Sequence, residues 1–567
     1  MAKIKVTDYI IKKIIENNVN TIFGYPGGVV CHLIDSATKY SDKIDIKLNY
    51  HEQASAFSAC GYAQASGKLG VAFATSGPGA TNLITGIANA WFDSLPVLFL
   101  TGQVDTYALK SNIKSEIRQY GFQETDIISI VKPITKYCIQ ILKAEDIKEE
   151  LDKAIKIALS NRKGPVLIDL PADIQRAFIE VCDFNELPKE EYKEKSNYYK
   201  IIQKELKKSK RPIFLVGAGL NQCNLREDFR KLANDYQIPV VTSMSAIDIL
   251  PYDDVLNCGF IGVNGHRYAN LILAKSDLVI CIGTRLDLKQ IGIKRQFFKN
   301  QKIIRVDIDK NELNYFINHN EIRIETGLKT FLKDFNNISE KCCHKEWIKT
   351  TNKIKEKLKY ANDNEEAHKF LRKISSLIQE DVTYSLDVGQ NQVWAIQALE
   401  LKNNQKVIMS AGLGTMGYAL PAAIGAYYAT QKPSIVIVGD GGIQMNIQEL
   451  QFISHHKLPI TIILCNNRCL GMIRQFQEKN FNSNYKITTL TTGYSVPDFK
   501  KIAKAYNIKC VSINKLEELK HINISKPNFI EVNLDTVTYL EPAFGKDNLF
   551  DQIPNIDREL YNEIMEL

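Results

Sequence analysis

The sequence predicts an α/β protein made of three doubly wound parallel-sheet domains. Three observations lead there. Short apolar runs alternate with helix-period stretches along most of the chain, the pattern of repeated βα units. Gly or Pro punctuates most of the apolar runs, as expected at strand ends. Two polar, Lys- and Glu-rich stretches, residues 183–210 and 336–366, divide the 567 residues into three blocks. Three is also the number that roughly 100–200 residues per domain implies. The expected domains are residues 1–182, 195–335 and 360–540, with 541–567 as a polar tail.

In the first block the candidate strands are Thr21–Phe23, Ile44–Leu48, Val71–Ala74, Val97–Leu100 and Val166–Leu170. The second block supplies Ile213–Val216, Pro239–Thr242, Leu278–Ile282 and Ile303–Asp307. The third supplies Thr383–Asp387, Val407–Ser410, Ile435–Val438, Ile460–Leu464 and Asn528–Val532. This βα repetition implies parallel sheets with helices on both faces.

Composition narrows the function. Lys plus Arg number 72 and Asp plus Glu 64, a net charge of +8 that is weak for this length. Without a dense basic stripe interleaved with aromatics, a nucleic-acid partner is not expected. Lys204 to Arg211 reads as a solvated linker or helix face. The 12 cysteines show no repeated metal spacing: Cys342 and Cys343 are adjacent, and Cys465 and Cys469 are four apart. Reduced thiols in a cytoplasmic protein are the expectation. Ile10, Ile11, Ile14 and Ile15, broken by Lys12 and Lys13, form an amphipathic helix rather than a signal peptide. No apolar run approaches about 18 residues, so no membrane partner is expected.

The most informative stretch is VIVGDGGIQMNIQEL (436–450), followed by ILCNNRCLGM (463–472). Gly439-Asp440-Gly441 ends one apolar strand, and Asn466-Asn467 ends the next after the 24 residues 442–465. Glycines at a strand end let backbone N–H groups approach a diphosphate. A diphosphate calls for a hard cation, and Mg²⁺ takes oxygen ligands. Asp440 can give a carboxylate oxygen, Asn467 an amide oxygen and Cys469 a main-chain carbonyl. GDG alone is a common turn and NN alone a common loop. Together, each behind an apolar strand, they resemble the cofactor motif of thiamine diphosphate enzymes.

The other half of such a site is present. Tyr50-His51-Glu52-Gln53 follows a strand, and thiamine catalysis needs a carboxylic acid at N1′ of the aminopyrimidine, with the cofactor supplying the organic chemistry. Further motifs are FGYPGG (23–28), SGPGATN (76–82), TGQV (101–104), FQETD (122–126), LDVGQNQVW (386–394), SAGLGTMGYALPAAIGA (410–426) and GMIRQFQ (471–477). In this order, over nearly the whole chain, they resemble the acetolactate synthase large subunit. The resemblance implies pyrimidine-binding, central FAD-type and diphosphate-binding domains.

Carried over residue by residue, the resemblance makes Glu52 and Gln123 the catalytic pair. Glu52 meets N1′, while Gln123 lies on the substrate side with Phe122, Val29 and Gly28. Gly414 lends a carbonyl to the 4′-amino group, and Met416 is the apolar wedge that bends the cofactor. Val388, Gly389, Gln390 and Asn391 line the diphosphate with Gly439, Asp440, Gly441 and Gly442. Tyr25, Pro26, Gly28, Gly471 and Met472 complete the thiamine diphosphate set, and Asp440, Asn467 and Cys469 hold Mg²⁺. The resemblance also implies that Glu52 and Asp440 of one site come from different chains. A homodimer is then the minimal unit, and a tetramer is common. A regulatory subunit is left open.

The central block resembles the FAD-binding domain of the same family. Gly217 and Gly219 follow a strand, Arg162 matches an arginine that holds FAD, and Arg285 lies in GTRLDLKQ (283–290). Thr242-Ser243-Met244 and GVNGHRYAN (262–270) fall where that family touches the flavin. FAD is the expected occupant. Some relatives bind ADP or have lost the nucleotide, and the sequence leaves those alternatives open.

Several substrate-side positions depart from the family. Ala172 stands for a lysine, Phe476 for a tryptophan, Lys289 for an arginine and Asn391 for a histidine. Between Val104 and Phe122 a 17-residue stretch carries Lys110, Lys114, Glu116 and Arg118. Two enzymatic readings follow: an acetolactate synthase that decarboxylates a 2-keto acid such as pyruvate and passes the acyl carbanion to a second keto acid, or a related carboligase that serves another ketone, such as a nucleotide-linked keto sugar. A non-catalytic binding protein on the same scaffold is disfavoured by the presence of both Glu52 and Asp440.

Overall fold

The computed structural model describes residues 2–181, 198–292, 298, 300–338, 344–363, 365–545 and 551–567. Its frame is three six-stranded sheets in which every pairing is parallel. The first sheet runs, edge to edge, Asp45–Leu48, Thr21–Gly24, Gly70–Ala74, Val97–Gln103, Val166–Pro171, Tyr137–Gln140. The last runs Lys406–Met409, Thr383–Leu386, Ser434–Gly439, Ile460–Asn466, Asn528–Asn533, Lys509–Ile513. Between them in sequence lies a sheet ordered Asn257–Phe260, Val240–Thr242, Pro212–Val216, Leu278–Ile282, Lys302–Asp307, Glu321–Glu325. Numbered along the chain, that order is 3-2-1-4-5-6, the arrangement that binds dinucleotides where the strand order reverses.

Four strands absent from the sequence reading are Tyr137–Gln140, Asn257–Phe260, Glu321–Glu325 and Lys509–Ile513. All four are edge strands. An edge strand is not held between two covered neighbours and need not be a continuous apolar run. Tyr137–Gln140 is half-buried throughout, and Lys509–Ile513 alternates exposed Lys509 and Val511-side positions with better-buried ones. A further antiparallel pair joins Ala2–Lys5 to Phe178–Val181.

The stretches read as connectors are partly structured. Helix Tyr198–Lys208 buries Ile202 and Leu206 and turns its lysines outward. Helix Lys345–Leu358 lays Trp347, Ile354 and Leu358 on the central core, and the Trp347 indole donates to the Pro212 carbonyl at 3.0 Å. The segment read as a polar tail ends in helix Arg558–Glu566, whose Ile564 is fully buried in that same core. Cys342 and Cys343 lie outside the described residues, as does most of the 183–210 stretch.

The first and last sheets meet through helices Glu52–Ser66 and Ala419–Thr430, both nearly apolar and small along their contact. They approach backbone to backbone. A Cβ on Gly61 would lie 2.1 Å from the Ala422 carbonyl oxygen, and one on Gly425 would lie 1.8 Å from that of Ser58. The Ser58 hydroxyl donates to the Pro421 carbonyl at 2.9 Å within this contact. The seam is continuous with one apolar core that includes Phe23, Phe57, Tyr418 and Val438. Among the described residues no helix is long and apolar enough to cross a membrane.

Candidate active site

At the carboxyl ends of the first sheet, the strand order reverses between Thr21–Gly24 and Gly70–Ala74, where open α/β sheets bind ligands. The turn after Asp45–Leu48 delivers Glu52 as the first residue of its helix, with the His51 ring accepting from the Gln53 N–H at 3.0 Å as N-cap. Asn82, the last residue of the SGPGATN motif, donates to Glu52 Oε2 at 2.9 Å. Gln123 sits against Gly77: a Cβ on Gly77 would lie 3.0 Å from both the Gln123 Cβ and its carbonyl oxygen. Gln123 has φ +64°, an uncommon conformation for a residue with a side chain and one that clusters at functional sites. A Cβ on Gly28 would meet nothing within 4 Å, so the FGYPGG turn faces open space. Tyr25 is 39% and Phe122 84% exposed, leaving two aromatic rings uncovered beside Glu52's motif group. The structure thus collects Tyr25, Pro26, Gly28, Glu52, Phe122 and Gln123 at one sheet end.

The last sheet reverses between Thr383–Leu386 and Ser434–Gly439, and the diphosphate motifs lie there. Gly389, at φ +145°, caps helix Gln390–Ala398, while Asp440 and Gly471 each begin a helix. Helix N-termini present free N–H groups and suit an anion. They are held close: a Cβ on Gly471 would lie 1.9 Å from Gln390 Oε1, and one on Gly442 would lie 2.0 Å from Asp387 Oδ2. Asn391 donates from its amide to the Asp387 carbonyl at 2.7 Å, locking the Val388–Gly389 turn. Met416 reaches the same place, its Cε 3.4 Å from where a Cβ on Gly441 would be.

Among the described residues no group of three or more His, Cys, Asp or Glu could hold a metal, so a cation would need mixed oxygen donors. Such donors converge here. Thr538 Oγ1 commits its proton to Gln390 Oε1 at 2.8 Å, and the Asn467 amide donates to Thr538 at 2.9 Å. The Asn467 oxygen then lies 2.9 Å from the Cys469 carbonyl oxygen and 3.3 Å from Asp440 Oδ2. An amide, a carboxylate and a main-chain carbonyl thus face one another, with the Cys469 N–H reaching the Asn467 oxygen at 3.4 Å. Turning the amide over would supply N–H donors; a hard cation would satisfy the same three atoms. Burial pushes the Asp440 carboxyl up to about 6, against the Tyr494 hydroxyl that donates to it at 2.7 Å. Tyr494 has no sequence signal: 54 residues separate it from Asp440, in a stretch without a motif.

A cavity of about 490 Å³ opens among all three sheets. Its walls include Arg162, Gly217, Gly219 and Arg285, and its other end reaches Val388, Gly389, Gly414 and Met472. It sits at the reversal point of the central sheet, where Gly217 and Gly283 touch; a Cβ on Gly217 would lie 2.2 Å from the Gly283 carbonyl oxygen. The buried Gln392 Nε2, in the cavity wall, has no hydrogen-bond partner. Arg162 pairs through Nη1 with Asp309 at 2.9 Å and Glu312 at 2.6 Å. Size, strand order and an unpaired donor fit a dinucleotide.

Fold and site together define a thiamine diphosphate enzyme. Three family models agree: the thiamine pyrophosphate enzyme N-terminal TPP binding domain over residues 4–130, the central domain over 200–335 and the C-terminal TPP binding domain over 387–526. The chain is 35% identical over 564 residues to the acetolactate synthase large subunit of Lactococcus lactis subsp. lactis, covering 96% of each chain. It is 34% identical to a probable acetolactate synthase large subunit of Methanocaldococcus jannaschii, covering 99% of this chain and 98% of that one. With the acetolactate synthase isozyme 2 large subunit of Escherichia coli it shares 31% identity over 92% of this chain and 94% of the other. The chain belongs to the acetolactate synthase large-subunit family, enzymes of the carboligase type.

Proposed function

We propose that this chain is a thiamine diphosphate- and Mg²⁺-dependent carboligase that decarboxylates pyruvate and joins the remaining two-carbon unit to a second keto compound. The observation that carries this reading is the convergence of Asp440, Asn467 and the Cys469 carbonyl beside Met416 and the helix N-termini. Asp440, Asn467 and Cys469 would hold the metal, and Gln390, Asn391 and Gly441 would take the diphosphate. When bound, thiamine diphosphate supplies the carbanion chemistry. Glu52, oriented by Asn82, would hold a proton against the aminopyrimidine ring. Gln123 and Phe122 would orient the keto acid, and Met416 would fix the bend of the cofactor. FAD would fill the large cavity, with Arg162, Gly217, Gly219 and Arg285 in its wall.

The exposed Tyr25 and Phe122 favour a homodimer, in which a second copy covers the Glu52 half-site and completes it; dimers of dimers are compatible with this. The large-subunit names of the relatives support a small regulatory partner. Free thiols, such as buried Cys465 and Cys469, fit a cytoplasmic enzyme.

A second reading changes the acceptor. Lys289 lines the large cavity, Phe476 is 56% exposed, and Ala172 opens a short helix at the end of Val166–Pro171. These departures favour an acceptor larger than pyruvate, since a few altered contacts shift specificity strongly. Incubating enzyme with thiamine diphosphate, Mg²⁺, FAD and pyruvate, with and without added ketones or keto sugars, separates the readings by product mass. Acetolactate is expected with pyruvate alone, and a faster reaction with a larger ketone. If no added ketone competes, the plain synthase reading stands; if pyruvate is not consumed at all, the donor assignment fails.

A further inference from the structure

The loop 410–418 carries the two groups expected against the thiamine ring, Gly414 and Met416. Gly414 has φ +73°, and a Cβ there would meet nothing within 4 Å; within the loop the Thr415 N–H donates to the Ser410 hydroxyl at 2.9 Å. Its ends are held from outside the loop. On the far side Asp387 accepts from Gly417 N at 3.0 Å and from Ala419 N at 3.2 Å. On the near side the support comes from the first sheet's domain, more than 300 residues earlier. The buried Asp93, which closes helix Ile84–Phe92, accepts from Gly412 N at 2.7 Å and from Ala411 N at 3.2 Å. The same helix end adds two contacts. Thr415 Oγ1 lies 3.5 Å from Asn89 Oδ1, and a Cβ on Gly412 would lie 2.8 Å from the Phe92 Cβ, so the loop cannot slide there.

The corner that holds this loop is itself tied to the large cavity. Gln222 Nε2 donates to the Asp93 carbonyl at 2.5 Å, and Arg162 Nε donates to the Ser94 hydroxyl at 2.9 Å. Asp93, Ser94, Gln222 and Arg162 all line the cavity. Asp93 therefore meets the cavity wall through its main-chain carbonyl and two backbone N–H groups of the loop through its carboxylate. Hydrogen bonds to an ionised acceptor are among the stronger ones a protein makes.

We propose that Asp93 is a positioning residue of the thiamine site: it sets where Gly414 and Met416 stand by clamping the N–H groups of Ala411 and Gly412. This rests on the reading of Gly414 and Met416 as cofactor contacts. Asp93 touches no metal ligand, so its loss should alter the ring's environment and leave diphosphate and metal binding in place.

The test is Asp93→Asn in the full chain with thiamine diphosphate, Mg²⁺ and FAD, which keeps the size and turns one acceptor into a donor facing an N–H. Thiamine diphosphate affinity by calorimetry should stay within about threefold, because the Asp440 cluster is untouched. Turnover should fall by about 10- to 100-fold, the range that small misplacements of reacting groups cost, with KM for pyruvate moving much less. The circular-dichroism band of the imino form of the bound aminopyrimidine should weaken in proportion. A folded variant that keeps both turnover and that band overturns the proposal. So does one that loses cofactor affinity and activity together, which is the mark of a merely structural defect. If Asp93→Asn does not fold, Asn89→Ala decides: the same split, at about threefold, is expected, and unchanged turnover and band overturn it. Failure of the unmodified protein to bind thiamine diphosphate would overturn the cofactor reading as well. A wild type that binds and turns over while Asp93→Asn matches it overturns this inference alone.

Discussion

Glu449 accepts a hydrogen bond from the backbone N–H of Tyr50 at 2.7 Å, and so fixes, across 399 residues of sequence, the turn that delivers Glu52. Its second oxygen takes the Asn49 amide at 2.8 Å, and the side chain is fully buried.

Burial pushes the Glu449 carboxyl from 4.5 up to about 7, only partly offset by Asn49 and Tyr50. The folded protein thus holds this proton more tightly than the unfolded chain does. Stability falls with rising pH wherever the native state binds more protons. The cost of ionising Glu449 is absent below about 4.5, grows as pH rises to about 7 and is constant above. Glu449→Gln cannot ionise, so its stability relative to wild type should rise across that window, by at most about 3 kcal/mol. Urea melts of both proteins at pH 5 and pH 8 check this; a difference that does not change with pH would mean Glu449 is not titrating there.

Glu52→Gln keeps the shape and the Asn82 contact while removing the acidic proton. Thiamine diphosphate should still bind, and turnover should drop at least about 100-fold, within the range for loss of an acid–base partner. Steady-state kinetics with saturating cofactor measure it, and near-normal turnover would take Glu52 out of the mechanism.

Asp440→Ala removes the one charged oxygen from the Asp440, Asn467 and Cys469 cluster. The expected protein is folded and no longer retains thiamine diphosphate at micromolar cofactor. Calorimetry with Mg²⁺ present reads this directly, and unchanged affinity would refute this turn as the metal site.

Gly425→Ala places a methyl group 1.8 Å from the Ser58 carbonyl oxygen, where only backbone movement can relieve it. Overpacking of this kind costs about 1–3 kcal/mol. The first thermal transition should shift downward, whereas Gly327→Ala, where a Cβ meets nothing within 4 Å, should leave it in place. Equal melting curves for the two variants would show that the helix contact yields easily.

The sequence disclosed what is local. GDG behind one apolar strand and NN behind the next already paired Asp440 with Asn467, and the alternation of apolar runs with helical stretches announced covered parallel sheets. The four edge strands escaped because polar residues interrupt them, as Glu321, Arg323 and Glu325 do in one and Lys509 and Ser512 in another. The side chains that hold the motifs in place escaped for a different reason. Glu449 lies inside the 436–450 motif, yet its partners are Asn49 and Tyr50. Asp93 sits in an ordinary helix end, and its partners are Ala411 and Gly412. Such contacts depend on how sheets are juxtaposed, and no spacing within one segment encodes that. The final segment misled by composition: its many charges hide an apolar side, where Ile564 is buried and Leu560, Tyr561 and Leu567 pack against the same core.

The close crossing of helices Glu52–Ser66 and Ala419–Thr430 has a consequence for the symmetry of the chain. Each helix links the second strand of its sheet to the third, and the outer sheets share one strand order, 2-1-3-4-6-5 when each is numbered along the chain. At the crossing Gly61 abuts Ala422 and Gly425 abuts Ser58, so in each helix the glycine stands three residues after the residue its partner glycine meets. That reciprocity is the signature of a two-fold axis, here running through a single polypeptide as it would through an isologous dimer. Under that symmetry the turn that carries Glu52 in one domain corresponds to the 410–418 loop with Gly414 and Met416 in the other, each following the second strand of its sheet.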